Sequence, residues 1–238
     1  MRESQLLPRN YFGISMRKNG IVIAIDGPAG AGKSTTAKRV AEKMGYLYLD
    51  TGAMYRAVAL ATLRQNINPE DSSAVTVLSE GLQITFDTQN SVLLNGEDVS
   101  DAIRSSEVSQ ASSRVAVHQG VRDVLVSQQQ IIGKDGGIVL EGRDTGTAIF
   151  PDAELKVFLV ADPLERAQRR LNELKKRGES ADLDTLLTEI RKRDERDRQT
   201  QLRFGPWPAE DAVSVDTTGV SIEDQVDQVV LLARQLDS

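Results

Sequence analysis

Residues 27–35, which read GPAGAGKST, have the types and the spacing of a phosphate-binding loop. They match the pattern GxxxxGK[ST], in which glycines let backbone N–H groups wrap around a phosphate chain. Lys33 can reach the β- and γ-phosphates of a nucleotide, and the hydroxyl of Ser34 can bind Mg²⁺. The predicted triphosphate-binding residues are Gly27, Pro28, Ala29, Gly30, Ala31, Gly32, Lys33, Ser34 and Thr35.

The segments on either side of this loop are the ones that the motif requires. The apolar run at residues 21–25 predicts a strand that enters the loop. After the loop, Ala37, Val40, Ala41 and Met44 recur at helical spacing, and Gly45 stands where a helix cap is expected. A strand, the loop and a helix in this order are the context in which the pattern binds phosphate.

Four further apolar runs, at residues 46–49, 138–141, 157–160 and 212–215, predict strands that alternate with helical patterns. Strands alternating with helices predict an α/β fold, a five-stranded parallel sheet with helices on both faces. In such folds the ligands bind beyond the carboxyl ends of the strands. The loop and the other polar motifs follow directly after predicted strands, which places them at that edge.

The stretch at residues 66–106 differs from this α/β pattern. Two alternating runs, 82–86 and 92–94, are joined by the polar residues 87–91 and predict a small antiparallel β insertion. Two amphipathic helices are expected to follow it. We divide the chain into a flexible leader at residues 1–20 and one phosphate-loop domain at residues 21–238.

Composition limits the classes of function. The chain has 238 residues, a net charge of −6, no cysteine and one histidine. The absence of cysteine excludes disulfides and thiol catalysis. With a single histidine, neither a zinc site nor a Ser–His triad is expected, and we expect His118 to be an exposed residue at a helix end. No apolar run approaches the roughly 18 residues of a membrane span. We expect a cytoplasmic monomer that binds neither nucleic acid nor a membrane.

Arginines are frequent near the predicted ligand edge, whereas the guanine-reading pattern NKxD is absent from the sequence. Phosphoryl transfer between two anions needs such a set, because guanidinium groups and Mg²⁺ offset the charge of both phosphates. Some of these side chains are alternatively solvated charges on helix faces. The arginines are Arg56, Arg122, Arg143, Arg166, Arg169, Arg170, Arg193, Arg196, Arg198 and Arg203.

Several motifs together resemble one family, and they extend from about residue 21 to the C-terminus. They read DGPAGAGKST, DTGAMYRAVAL, NGEDVSDAIRSSEV, EGRDTGT, FPDAELKVFL, RDERD and DTT. This combination is similar to the bacterial cytidylate kinases, nucleoside monophosphate kinases that phosphorylate CMP and dCMP with ATP. The resemblance implies a Mg²⁺-dependent enzyme whose substrates are ATP and CMP or dCMP.

The resemblance implies that Ser113, Arg122 and Asp144 read the acceptor base. Cytosine presents an N4 amino donor beside the N3 and O2 acceptors, so a carboxylate and a hydroxyl at N4 and an arginine at N3 and O2 complement it. Uracil would place its O4 against the carboxylate of Asp144, and this repulsion would favour cytosine.

The resemblance also implies that the insertion at residues 66–106 binds CMP, and it implies the contacts of the acceptor phosphate and sugar. Arg56 and Arg143 match the phosphate-binding arginines, with Thr51 nearby where relatives often have serine. Arg193 and Asp197 match a pair that contacts the sugar and phosphate, and alternatively they form an ordinary i,i+4 ion pair. The catalytic residues implied in this way are Lys33, Arg143 and Arg193.

Three further expectations concern the surroundings of the site. Thr200 stands where relatives usually have an arginine, and Arg198 or Arg203 could replace that group. The charged segment at residues 172–182 is expected to be a lid that excludes water. Glu141 could hold a water molecule on Mg²⁺, or it is a solvated acid at the end of a strand.

Two alternative functions stay open on the sequence. One is a kinase with the same loop for another small acceptor, such as shikimate or a different nucleotide. The other is a nucleotide-binding regulatory module without catalysis, against which the intact Lys33 and Ser34 argue.

Overall fold

A computed structural model describes residues 17–87, 89–176 and 178–237. It divides the chain into two compact units. The first comprises Met1–Leu47 together with Asp135–Ser238, and the second comprises Tyr48–Lys134.

Strands and helices are numbered along the chain. The strands in the described residues are β1 (Val22–Asp26), β2 (Leu47–Asp50), β3 (Ile84–Phe86), β4 (Val92–Leu94), β5 (Glu97–Asp98), β6 (Ile138–Glu141), β7 (Leu155–Val160) and β8 (Val213–Asp216). The α-helices there are α1 (Lys33–Met44), α2 (Thr51–Arg64), α3 (Ser72–Glu80), α4 (Ser106–Val115), α5 (Gln119–Gly133), α6 (Pro163–Lys176), α7 (Leu183–Gln201) and α8 (Ile222–Leu236).

The main sheet confirms the predicted α/β fold. It has five strands in the order β2-β6-β1-β7-β8, so the strand that enters the phosphate loop is central. Strand β1 pairs in parallel with β6 and with β7, and Ile23 lies opposite both Val139 and Leu155. All five residues of β1 are buried. A strand covered on both faces buries every side chain, which is why its sequence is a continuous apolar run.

The helices of the first unit pack as their apolar spacing predicts. Helix α1 ends at the left-handed Gly45, whose φ is 70°. Helices α6 and α7 enclose a cluster of buried residues, and further apolar residues of α7 pack against it. The buried members are Ala167, Leu171, Leu174 and Leu186, and the partly buried members are Leu183, Leu187 and Ile190. This cluster fixes the two helices that carry many of the arginines.

The second unit contains the predicted hairpin of β3 and β4, which pair in antiparallel register with Ile84 opposite Leu94. A third strand, β5, extends this sheet beyond the prediction, because Asn95 and Gly96 adopt positive φ values of 51° and 86° and turn the chain back. Helix α3 was also not predicted. Its N-cap is Asp71, whose carboxylate accepts a hydrogen bond from the N–H of Ala74. Thr88 of the hairpin loop lies outside the described residues.

Two expectations need revision. His118 is buried rather than exposed, and its Nε2 lies 2.8 Å from the carbonyl oxygen of Pro69. The expected leader overlaps the fold at residues 17–20. Arg17 Nη2 lies 2.8 Å from a carboxylate oxygen of Asp152, and the N–H of Asn19 donates to the carbonyl oxygen of Asp135. Residues 1–16 of that expected leader lie outside the described residues.

Within the described part of the chain, every helix is too short or too polar to cross a bilayer.

Candidate active site

The loop after β1 takes the backbone conformation that its glycines permit. Gly27, Gly30 and Gly32 have φ values of 145°, 77° and 91°. At Gly27 a Cβ atom would lie 2.2 Å from the carbonyl oxygen of Leu159, which is closer than any side chain tolerates. This position therefore requires glycine, both for its φ value and for the close approach of β7.

Lys33 is the first residue of α1 and it is buried, with 5% of its surface exposed. Its Nζ donates a hydrogen bond to the carbonyl oxygen of Pro28 at 2.9 Å. Burial, and next the positive charge of Arg143, lower the pKa of Lys33 to about 7. The helix N-terminus adds free N–H groups and a partial positive charge at the same place. A bound phosphate would restore the charged form of Lys33.

Ser34 and Glu141 meet at this edge of the sheet. The Ser34 hydroxyl donates to Oε1 of Glu141 at 2.5 Å, and Glu141 is the buried last residue of β6. A hydroxyl beside a carboxylate offers the hard oxygen ligands that Mg²⁺ prefers. Among the described residues, no three acidic, histidine or cysteine side chains group into a metal site. The pair thus fits an ion that keeps phosphate and water among its ligands.

Asp26, at the end of β1, is a buried residue that the sequence analysis did not assign to the site. Its carboxylate accepts hydrogen bonds from the N–H and hydroxyl of Thr145 at 2.9 and 2.8 Å, and from the N–H of Gly146 at 2.9 Å. Burial raises the pKa of Asp26 to about 6, although the hydrogen bonds favour the carboxylate. The contact holds the π-helical turn Thr145–Ile149, which directly follows the predicted Arg143 and Asp144.

Three of the predicted acceptor residues come together in the first unit. Arg143 Nε donates to Oδ2 of Asp197 at 2.9 Å, and the same oxygen lies 3.9 Å from Nε of Arg193. Burial alone would lower the pKa of Arg143, but the carboxylates of Asp197 and Glu141 raise it above its usual value. Asp197 therefore holds two guanidinium groups from different elements in one cluster.

Asp144 follows Arg143 in the sequence and is buried, with 7% of its surface exposed. Its carbonyl oxygen accepts hydrogen bonds from the N–H groups of Ala148 and Ile149, so the backbone of Asp144 is fixed by the π-helical turn.

The other predicted acceptor residues lie in the second unit. Thr51 is the buried first residue of α2. Arg56, also on α2, donates to Oδ2 of Asp50 at 2.7 Å. Arg122 is buried on α5, with 4% of its surface exposed. Ser113 is exposed on α4, and its hydroxyl is 3.5 Å from the carbonyl oxygen of Ser109.

The remaining arginines differ in their surroundings. Arg170 and Arg198 belong to exposed pairs with Glu173 and Glu195 of their own helices, as expected for solvated helix faces. Arg166 is 3% exposed and contacts the phosphate loop itself. Sequence spacing alone could not separate these cases, since all of them lie on polar helices.

Comparison with known proteins agrees with this geometry. The family model for cytidylate kinase matches residues 23–235. A cytidylate kinase from Geobacter sulfurreducens is 43% identical, over 92% of this chain and 94% of the relative. One from Bacillus velezensis is 46% identical, over 90% and 96% of the two chains. An uncharacterized protein from Eubacterium ventriosum shares the fold, with a TM-score of 0.50, 13% identity and coverage of 90% and 98%.

Three findings agree on the family of this chain. They are the phosphate loop after β1, the cluster of Arg143 and Arg193 around Asp197, and the family match over nearly the whole chain. The chain belongs to the cytidylate kinase family.

Proposed function

We propose that the protein transfers the γ-phosphate of ATP to CMP or dCMP, giving ADP and CDP or dCDP. The observation that carries this proposal is the cluster in which Asp197 holds Arg143 and Arg193, next to the phosphate loop with its buried Lys33. Guanidinium groups beside a phosphate loop can offset the charge of a second phosphate. The family match supports a nucleoside monophosphate as the acceptor.

For the donor, the N–H groups of residues 27–35 bind the phosphates of ATP, and Lys33 contacts the β- and γ-phosphates. Ser34, by its hydroxyl, and Glu141 are the residues that would hold Mg²⁺. When bound, Mg²⁺ supplies charge that offsets the β- and γ-phosphate oxygens. The Ser34 hydroxyl donates to Glu141, so the two groups lie side by side.

For the acceptor, Asp144 and Ser113 are assigned to the N4 side of cytosine and Arg122 to the N3 and O2 side. The burial of Asp144 and Arg122 supports this assignment, because hydrogen bonds from a bound base to charged groups are stronger where water is excluded. The assignment of Ser113 has less support, because this residue is exposed.

The phosphate and sugar of CMP are assigned to the cationic residues and their partners. These residues are Thr51, Arg56, Arg143, Arg193 and Asp197.

Positioning and electrostatics carry the reaction. The phosphate of CMP is an anionic nucleophile at neutral pH, so that no separate base has to activate it. Lys33, Arg143 and Arg193 offset the charge that spreads over the oxygens of the transferred group. The Asp197 carboxylate keeps Arg143 and Arg193 oriented before the substrate arrives, which reduces the reorganisation needed during transfer.

Residues 172–182 are proposed to be the lid. They comprise the end of α6 and the connection up to Asp182, the N-cap of α7, and Gly178 has a φ of 76° between the two helices. Arg177 of this segment lies outside the described residues. The cytoplasmic location and the monomeric state stay predictions, the second of which light scattering of the purified protein would test.

A coupled assay of ADP release tests the reaction. With MgATP, the protein should release ADP when CMP or dCMP is added, and should release far less with shikimate or with no acceptor. Lys33→Ala should reduce turnover by at least about 100-fold, because it removes a cation from the transferred phosphate. Its circular dichroism should match the wild type. Absence of CMP-dependent ADP release by the wild type would refute the proposal.

Asp144→Ala tests the assignment of the base. The substitution should raise the KM for CMP by about tenfold or more, because it removes a charged hydrogen-bond partner, and should leave the KM for ATP within about twofold. The ratio of kcat/KM for CMP to kcat/KM for UMP should decrease, because no carboxylate then repels the uracil O4. Equal increases in both KM values would contradict the assignment.

A further inference from the structure

Arg166, at the start of α6, joins three parts of the first unit. Its Nη1 donates to the carbonyl oxygen of Ala29 in the phosphate loop at 3.1 Å, and its Nε donates to the carbonyl oxygen of Ala161 at 3.0 Å. Both terminal nitrogens also bind the carboxylate of Asp194 on α7, at 2.9 and 2.6 Å. Its side chain is 3% exposed, so these bonds are shielded from water.

The bond to Ala29 fixes the direction of a backbone amide. The peptide between Ala29 and Gly30 is trans, because the cis bond in the described residues is that of Trp207 and Pro208. In a planar trans peptide the C=O and the following N–H point in opposite directions. With the Ala29 carbonyl held toward Arg166, the N–H of Gly30 must point to the opposite side of the loop. A phosphate wrapped by loop amides has to lie on that side.

A second carbonyl of the loop is held in the same way. The buried hydroxyl of Thr217, after β8, lies 3.2 Å from the carbonyl oxygen of Ala31. Arg169, one turn after Arg166 on α6, donates to the Thr217 carbonyl at 2.6 Å and to its hydroxyl at 3.2 Å. Both contacts come from outside the loop and are made to carbonyl oxygens, so neither of them uses a loop N–H group.

We propose that Arg166, held by Asp194, is a positioning residue that presets the loop amides for the β-phosphate of the donor. The inference rests on the proposed function, in which residues 27–35 bind ATP. Arginine suits this role because its planar group donates to a carboxylate and to two carbonyls at once, whereas lysine has one nitrogen. The Asp194 carboxylate orients that group on the Ala29 carbonyl.

Nucleotide affinity tests the role directly. Calorimetric titration with MgADP should show a dissociation constant about tenfold higher for Arg166→Gln and for Asp194→Asn, because the loop amides are no longer preset. Arg166→Lys should recover only part of this loss. Titration with CMP should give dissociation constants within about twofold of the wild type. MgADP binding needs no acceptor, so this readout stays decisive even if CMP turnover is absent.

Steady-state kinetics separate positioning from stability. Loss of preset amides should raise the KM for ATP and lower kcat while the KM for CMP is unchanged. A merely structural role lowers the folded fraction, which reduces kcat and leaves both KM values unchanged. Arg17→Gln is the matched control, because Arg17 is another largely buried, ion-paired arginine of the first unit, 13% exposed, that does not contact the loop in the described residues. It should lower the melting temperature without changing MgADP affinity. Unchanged MgADP affinity in both Arg166→Gln and Asp194→Asn would overturn the proposal.

Discussion

At the residue scale, Lys33 and Arg143 are two cations of the site whose pKa values shift in opposite directions. Burial, and next the positive charge of Arg143, lower the pKa of Lys33 to about 7. Burial acts in the same sense on Arg143, but the carboxylates of Asp197 and Glu141 raise its pKa above the usual value. Arg143 therefore stays charged, whereas Lys33 can change its charge near neutral pH.

Lys33 should take up a proton when nucleotide binds. Its pKa of about 7 in the free protein means that it is mostly neutral at about pH 8, whereas a bound phosphate favours the charged form. MgADP binding should therefore consume nearly one proton at about pH 8 and much less at about pH 6, and affinity should weaken as the pH rises above 7. Calorimetry in buffers of different ionisation enthalpy measures this uptake.

Lys33→Met is the control for that measurement, because it keeps the length of the side chain and cannot titrate. Lys33→Met should bind MgADP more weakly than the wild type. Its binding of MgADP should consume much less than one proton at about pH 8. Equal uptake at both pH values in the wild type would contradict a pKa of about 7 for Lys33.

The residues of the site differ in whether local spacing reveals them. Gly27, Gly32 and Lys33 can be found from the sequence because the loop needs them at fixed intervals. Asp26 and Arg166 cannot, since they act through partners 119 and 137 residues away along the chain. An acid at the end of a strand or an arginine on a polar helix carries no local signal of such a partner.

At the element scale, parallel pairing of β1 and β6 explains why the two main motifs meet. Ile25 lies opposite Glu141, and the N–H of Gly142 donates to the Ile25 carbonyl. The loop after β1 and the EGRDTGT stretch after β6 consequently leave the sheet at the same edge. The sequence predicted both strands, yet it could not predict that they are neighbours, because strand order depends on contacts between distant segments.

Asp26→Asn should weaken the connection between these elements. The Asp26 carboxylate accepts three hydrogen bonds from Thr145 and Gly146, and both of its oxygens are used. An amide would place an NH₂ group against one of these donors, leaving buried groups unsatisfied. Removal of a buried charge whose pKa is raised to about 6 offsets part of this cost. The free energy of unfolding should therefore fall by only about 1 kcal/mol at neutral pH, measured by urea denaturation.

Asp216→Asn provides the comparison at the end of β8. Its carboxylate is exposed and accepts from the N–H of Thr218, which an asparagine oxygen can also do. Its effect should be below about 0.5 kcal/mol. If both substitutions lower the free energy of unfolding equally, burial does not make the Asp26 hydrogen bonds more stabilising than the exposed hydrogen bond of Asp216.

At the scale of the whole molecule, hydrophobic periodicity predicted most elements and little of their arrangement. Helix α1 has a strong period and strand β1 is a continuous apolar run, and the predicted strand at residues 21–25 lies within one residue of the observed bounds of β1. Helix α3 and strand β5 were missed because short elements held by an Asp71 cap or an Asn95 turn have weak patterns. The start of the fold was placed too late, since Arg17 lies in a polar stretch and is held by acids far along the chain.

Arg17 should contribute measurably to the stability of the first unit. Its Nε lies 3.4 Å from Oε1 of Glu154, whose side chain is 5% exposed, and the other Glu154 oxygen accepts from the N–H of Val22 in β1. Arg17→Gln removes the charge that faces this buried carboxylate. The expected cost is about 1.5–3 kcal/mol, which lowers the melting temperature by about 5 °C in a chain of this size. Differential scanning calorimetry measures the shift. Arg39→Gln is the control, because it removes an exposed ion pair with Glu223 and should cost less than about 0.5 kcal/mol. If both substitutions lower the melting temperature equally, the burial of Glu154 does not make the Arg17 ion pair more stabilising.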